Sequence, residues 1–270
     1  VSPLWRDEVA IYLAPRRLAL VRRDRGLKPR LVAATELAVP TGSLGDVGPV
    51  IARLADVLTE PTWQGAAARI VVADQWARFG IVPWPSARLD PAGRLTHARY
   101  VLGDTYGETV AEWAVTLADT PPGRSYVACA MPASLRGALE ETLAPARLTA
   151  VSLQPQLVVA FNAWRHRLPP DGTWFVSMDD GSLSAVHLSH GSWDRVHMAR
   201  LSPDWRVELE RLQAFAKVTR AAGAVGRMFV DAPTWMRQGA DAGAGIEWLR
   251  EGDGDGGQAH ELALLQRTYA

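Results

Sequence analysis

Cysteine is nearly missing from this chain. Cys129 is the only one in 270 residues, so no disulfide can form within the chain, and a reducing, cytoplasmic setting fits better than a secreted one. Lysine is almost as scarce: Lys28 and Lys217 are the only two among 29 basic residues, and 29 acidic residues balance them. With no excess of positive charge there is no global electrostatic case for a nucleic-acid partner or an anionic membrane surface. No apolar run approaches the roughly 20 residues that span a bilayer. The first ten residues carry Arg6, Asp7 and Glu8 where a signal peptide would be apolar. What is present is a 48% hydrophobic composition, including 11 tryptophans, which excludes a disordered chain. The length suits one large domain or two modest ones, each with its own core.

The stretch 126–168 organises the reading. Residues 126–131 form a short apolar run ending at Pro132, and Pro132-Ala133-Ser134 opens a helix with Leu135, Leu139, Thr142 and Leu143 at helical spacing. Pro145 stops that helix because it cannot donate a backbone hydrogen bond into it. A strand over 148–153 follows. Gln154-Pro155 then starts a second helix, with Leu157, Val158, Phe161 and Trp164 on one face. Two strands joined by a helix predict a parallel crossover unit. Before this stretch, strands are predicted at 9–13, 18–22 and 31–39, with turns at Asp24-Arg25-Gly26 and Pro40-Thr41-Gly42. A helix capped by Asp46 is predicted to bury Val50, Ile51, Leu54, Val57 and Leu58 on one face. Strands at 70–73 and 79–82 follow, then one or two helices over 99–117. After it, strands are predicted at 174–178, 183–188 and 193–201, and a helix over 203–222 with Trp205, Leu209, Leu212, Phe215 and Ala216 on one side. Strands at 228–230 and 246–249, a glycine-rich loop at 252–257 and a helix at 261–265 complete the chain. Three strands, a helix and a strand thus occur twice, without repeated side chains.

That duplicated plan resembles the actin-like ATPase superfamily. Three segments are similar to one branch of it, the type IV pilus protein PilM, the pilus protein MshI and the cytoplasmic part of the type II secretion protein GspL. They are VACAMPASLRGALEETLAPARLTAVSLQPQLVVAFNAW, RIVVADQWARFGIVPWP and WFVSMDDGSLSAVHLSHGSWDRVHMARL. The resemblance implies an α/β, two-lobed actin-like (duplicated RNase H-like) fold with mixed sheets flanked by helices, its lobes at 1–165 and 166–270. It also implies a role at the cytoplasmic face of the bacterial inner membrane. There the chain would bind the cytoplasmic tail of a PilN-like membrane partner, in the cleft between the lobes or at a sheet edge, and an assembly ATPase. With no spanning segment in the sequence, the chain is either recruited by that partner or a piece of a longer protein.

The resemblance also implies three nucleotide-binding elements, and the residues depart from each. The first phosphate loop pairs an acid with a glycine that lets backbone N–H groups reach phosphate. Tyr12 stands at the acid, Ala14 at the glycine and Ala19 near a common lysine, while Pro15 removes a donor. Arg16 and Arg17 read as solvated turn charges, with phosphate pairing as the alternative. In the second loop the acid falls on Ser177 and the glycine on Asp179. Sliding the pattern makes Asp179-Asp180-Gly181-Ser182 the loop, but Asp-Gly is also a favoured hairpin turn. The third element is a Gly-Gly pair against adenosine, replaced here by Asp231-Ala232-Pro233. The expectation is a fold retained without ATP hydrolysis, with no catalytic residue, no cofactor and no metal. The alternative is a nucleotide-binding ATPase or kinase with divergent loops, using ATP and Mg²⁺.

Other chemistry finds little support. His187, His190 and His197 fall short of a fixed three- or four-ligand zinc set, and strand alternation predicts that His187 faces outward. Cys129 reads as inert core. No GxSxG, GxGxxG or Walker loop is present. An RNase H-like nuclease would need clustered carboxylates for two metals, and residues 9–13 carry none. Most tryptophans should pack in cores. Arg78, Trp84 and Arg88 form the candidate partner-binding patch, tryptophan and arginine being enriched at interface hot spots.

Overall fold

The computed structural model describes residues 7–24, 26, 30–40, 42, 45–179, 181–218, 227–237, 245–249 and 260–267. Arg6, Arg25, Lys28, Thr41, Asp180, residues 219–222 of the longest predicted helix and the glycine-rich stretch 252–257 lie outside them. In chain order the strands and helices are β1 (Glu8–Ala14), β2 (Arg17–Arg23), β3 (Leu31–Ala38), α1 (Gly48–Val57), β4 (Ala67–Val72), β5 (Arg78–Val82), α2 (Pro91–Tyr106), β6 (Trp113–Leu117), β7 (Tyr126–Pro132), α3 (Ala133–Leu143), β8 (Thr149–Pro155) and α4 (Gln156–Trp164). They continue with β9 (Thr173–Met178), β10 (Ser182–Ser189), β11 (Ser192–Arg200), α5 (Trp205–Val218), β12 (Arg227–Asp231), α6 (Thr234–Arg237), β13 (Ile246–Trp248) and α7 (His260–Arg267).

Two five-stranded sheets carry the same plan. The first runs β3-β2-β1-β4-β8 and the second β11-β10-β9-β12-β13. In each, the first three strands form an antiparallel meander, and the fourth and fifth join parallel. The duplication expected from sequence is therefore one of strand order and direction. β1 and β9 are the central strands. From Val9 to Ala14 and from Thr173 to Met178 every residue is buried, which is why these segments read as nearly unbroken apolar runs.

The chain divides into two compact units, and they are not the contiguous halves 1–165 and 166–270. One holds 1–76, 134–163 and 251–270, and the other 77–133 and 164–250. The difference lies in segment 251–270, grouped with the first unit, and in segment 77–133, grouped with the second, where it forms its own sheet, β5-β7-β6. That sheet packs on α2 through Val82, Ala98, Leu102, Tyr126 and Ala128. Phe79 of β5 meets Trp193 of β11 edge-on at 6.0 Å, a contact within the second unit. The crossover predicted between 126–131 and 148–153 is accordingly wrong. β7 pairs antiparallel with β5 on one side and β6 on the other, while β8 pairs parallel with β4. The parallel crossover runs from β4 to β8, with α3 bringing the chain back after the inserted sheet. The helices predicted over 99–117 also shift. α2 starts at Pro91, where the Asp90 carboxylate accepts from Gly93 N–H at 2.6 Å, and proline at the first helical position needs no donor. It ends at Gly107, whose φ of 74° suits glycine. Residues 113–117 are strand, held by pairing with β7.

In the first unit α1 buries Val50, Leu54 and Val57. Its N-cap is Val47, and Asp46 acts one residue earlier than expected, accepting from Gly48 N–H at 2.8 Å. α3 buries Leu135, Leu139 and Leu143, three of the four positions its spacing predicts, while Thr142 is half-buried. Arg22 pairs with Asp7 at 2.6 Å and donates to the carbonyls of Thr62 and Gln64 at 2.6 and 2.9 Å, tying the turn after α1 to the sheet.

In the second unit α5 packs Trp205, Leu209 and Leu212 on Trp174, Val176, Met178, Leu183 and Ala185. His187 is on this same face, since it pairs with Trp174 and its ring lies 5.1 Å away. It does not face outward. Alternation cannot reveal this, because Phe175 and Val186 on the opposite face are buried as well. His187 Nδ1 bonds the Asp194 carboxylate at 2.6 Å. Phe215 is 43% exposed, and its ring stacks on His197 at 5.9 Å.

Burial holds the His197 imidazole below its ordinary pKa of 6.5, partly countered by Glu208. The unfolded chain therefore takes up this proton more readily than the folded one. Stability from this site is full above about pH 6.5 and declines as pH falls below it. Thermal unfolding should show that decline, and His197→Gln should flatten it. An unchanged pH slope in the variant would contradict the assignment.

Candidate functional site

In the first unit, three buried polar side chains meet where β1, β4 and α4 come together. Tyr12 is 1% exposed, Asp74 2% and Gln156 1%. The Tyr12 hydroxyl donates to Gln156 Oε1 at 2.7 Å. Leu157 N–H, in the first turn of α4, donates to Asp74 Oδ1 at 3.0 Å. A helix start leaves four N–H groups without intrahelical partners, and Asp74 satisfies one of them from the short 3₁₀ turn after β4. Ala14 and Ala19 are buried too, and Ala19 lies directly across from Tyr12. Pro15 and Arg16 form the turn between β1 and β2. The position where the resembled pattern places an acid thus carries a neutral phenol whose proton is committed to Gln156. Its neighbours carry methyl groups where a phosphate loop needs bare backbone. Of the residues in this cluster, sequence reasoning found Tyr12 and missed Asp74 and Gln156.

In the second unit, the Asp179 carboxylate folds back into its own turn. Its Oδ1 accepts from Gly181 N–H at 2.7 Å, Ser182 N–H at 2.5 Å and the Ser182 hydroxyl at 3.1 Å. Asp179 N–H donates to the Ser182 carbonyl at 3.0 Å, and Leu183 of β10 pairs with Met178 of β9. These bonds link Asp179, Gly181 and Ser182 where β9 passes into β10. Ser177 lies between Ser184 of β10 and Asp231 of β12 in register, and all three are at most 1% exposed. The buried polar row Ser184–Ser177–Asp231 was not anticipated as a unit, because its members are distant in sequence. Ala232 is fully buried and Pro233 follows it, so side chains fill the place of the expected glycine pair.

Tyr12 offers a hydroxyl donor in place of a carboxylate, Asp179 spends Oδ1 on its own backbone, and Ala232-Pro233 presents no bare backbone. Among the described residues, no group of three or more His, Cys, Asp or Glu is placed to hold a metal.

Arg78, Trp84 and Arg88 do not form one patch. Arg78 opens β5, donates to the Ala77 carbonyl at 2.7 Å and lies over the Trp113 ring at 6.0 Å. Trp84 is past the other end of β5, half-buried and edge-on to Tyr126 at 6.3 Å. Only Arg88 of the three is exposed. Trp84 packs because Val82 pairs with Tyr126, a non-local contact that the flanking prolines gave no hint of. Cys129 is half-buried in β7.

The fold these two sheets define is the actin-like fold. The chain is similar to the cytoplasmic domain of EpsL, an inner-membrane component of the type II secretion system of Vibrio cholerae, with a TM-score of 0.62 and 9% identity over 97% of this chain and 94% of that one. It is similar to a chain of a PilM–PilN type IV pilus biogenesis complex, with a TM-score of 0.64 and 16% identity over 90% and 88%. It also matches a Bacteroides thetaiotaomicron protein of actin-like ATPase fold and unknown function, at 0.54 and 9% over 85% and 82%. No family model matches the chain, and no curated protein does. Among the described residues, no helix is long and apolar enough to cross a membrane.

Tyr12→Phe keeps the ring and removes one donor, leaving buried Gln156 Oε1 without it. Losing a buried hydrogen bond in this way costs about 1–3 kcal/mol. Urea unfolding should show that loss with an unchanged slope, and a variant as stable as the parent would contradict the cluster.

Proposed function

We propose that this chain is a non-catalytic actin-like scaffold of a bacterial type IV pilus or type II secretion assembly. It works at the cytoplasmic face of the inner membrane and holds the cytoplasmic tail of a PilN-like membrane partner, alongside an assembly ATPase. The observation that carries the non-catalytic part is the Tyr12–Gln156 hydrogen bond. A site built to position Mg²⁺ needs oxygen ligands, preferably carboxylates and waters, and here the chain supplies a buried phenol already engaged with its own fourth helix. The Asp179 turn and Ala232-Pro233 support the same reading from the second unit. The assembly role is supported by likeness of fold to the EpsL cytoplasmic domain and to the PilM–PilN complex. It is also supported by the balanced charge of the chain, which suits a protein partner better than nucleic acid.

Co-expression with the inner-membrane assembly proteins of the host, followed by detergent extraction and co-purification, tests this reading. One of them should retain the chain, and deleting the residues before its membrane span should release it. Retention that ignores the tail, or no retention by any of them, would overturn the proposal.

A further inference from the structure

The first sheet leaves one long edge open. β3 is its outermost strand, and residues 33–38 run in unbroken register with β2. Open edges of this kind are normally blunted by charge, proline, brevity or a bulge. The other edges of the two large sheets show these devices: β8 skips Val151 in its ladder, β11 carries Asp194, Arg195 and Arg200, and β13 has three residues. β3 has none of them along 33–38 apart from Glu36, which Arg17 neutralises at 3.2 Å. At its start, Leu31 and Val32 are 52% and 54% exposed.

A groove of about 320 Å³ runs between β3 and α1. Val57 and Trp63, both buried, form part of its floor. Its β3 wall is Ala33, Thr35 and Leu37, the half-buried side of the strand. Arg22 fixes the turn that supplies Trp63, through the Thr62 and Gln64 carbonyls, so the floor is pre-shaped. The rim holds Arg53, Asp56 and Glu60. Arg53 reaches Asp56 at only 3.9 Å, and the Glu60 carboxylate has no partner among the described residues. Among the described residues the rim therefore carries one more carboxylate than cation.

We propose that β3 takes up an extended partner peptide as a sixth strand, with a basic side chain over Asp56 and Glu60. Backbone hydrogen bonds to the open edge would provide affinity, and alternate side chains projecting into the groove would provide specificity. The charge decides against a second copy of this chain. Its β3 has no cation along 33–38, and its rim would bring a further Arg53, Asp56 and Glu60, again one more carboxylate than cation. This deepens the scaffold reading above by naming the surface and the chemistry of the tail it receives.

The test uses a fluorescent peptide of eight residues, the length of β3, alternating arginine and valine. Its controls are a glutamate–valine peptide and two N-methylated arginine–valine peptides, one for each alternating set of amides. The arginine peptide should bind by anisotropy and the glutamate peptide should not. One methylated set should abolish binding and the other preserve it. Asp56→Asn with Glu60→Gln, both at exposed positions, should weaken binding about tenfold, the effect of two surface ion pairs. Hydrogen exchange should slow over residues 31–38. Equal binding by both methylated peptides, equal binding by the glutamate peptide, or protection elsewhere would overturn the proposal. So would a concentration-dependent dimer, in sedimentation, that an excess of peptide does not dissociate. These outcomes leave the scaffold reading standing, which fails separately if the membrane partner's tail proves irrelevant.

Discussion

A strand buried on both faces constrains everything around it. β1 and β9 present apolar side chains above and below, so each needs hydrogen-bonded neighbours on both sides and packed layers on both faces. The antiparallel meander supplies one side and the parallel fourth strand the other, and the same strand order appears in both sheets. Helices then cover the faces: α1 buries its Val50, Leu54 and Val57 in the first unit, and α5 its Trp205, Leu209 and Leu212 in the second. Burying side chains of this size stabilises by about 1.5–3 kcal/mol each before entropy is counted. The layers are therefore enough to fix the plan without repeated side chains.

The same burial shapes the chemistry. Tyr12 is on a central strand, where a carboxylate would be desolvated unless a metal or a cation met it. A phenol bonded to Gln156 removes that need while keeping the position polar. Asp74 shows the cost being met differently: as a buried carboxylate it accepts from the start of α4, where the helix dipole favours negative charge. In the second unit Asp179 commits its Oδ1 to its own turn. Tyr12, Asp74 and Asp179 Oδ1 thus each have a structural task.

Local patterns made much of the fold legible. The 3.6-residue spacing of Leu135, Leu139 and Leu143 and of Trp205, Leu209 and Leu212 located two helices and their buried faces. The meander strands were marked by apolar runs between turn residues. Three features were out of reach because they depend on remote partners. Residues 126–132 look like a strand, but only pairing with β5 and β6 shows that they belong to an inserted sheet. His187 alternates correctly, yet with both faces of the sheet buried alternation cannot say which one it shares with α5. Tyr12 was recognised as a departure from an acid, whereas Gln156, its partner 144 residues away, carries no local sign beyond being a polar residue inside an apolar helix. Asp90-Pro91 is a local helix-start signal, and the helix predicted over 99–117 begins there instead.

The most direct test of a nucleotide site given up to structure is calorimetric titration of the purified protein with ATP and Mg²⁺, with ADP in parallel. A phenol locked to Gln156, a self-capped Asp179 and a side-chain-filled Ala232-Pro233 predict no binding heat and no thermal shift at millimolar nucleotide. Micromolar, magnesium-dependent binding would contradict this and would make the Tyr12 and Asp179 clusters working parts of a nucleotide site.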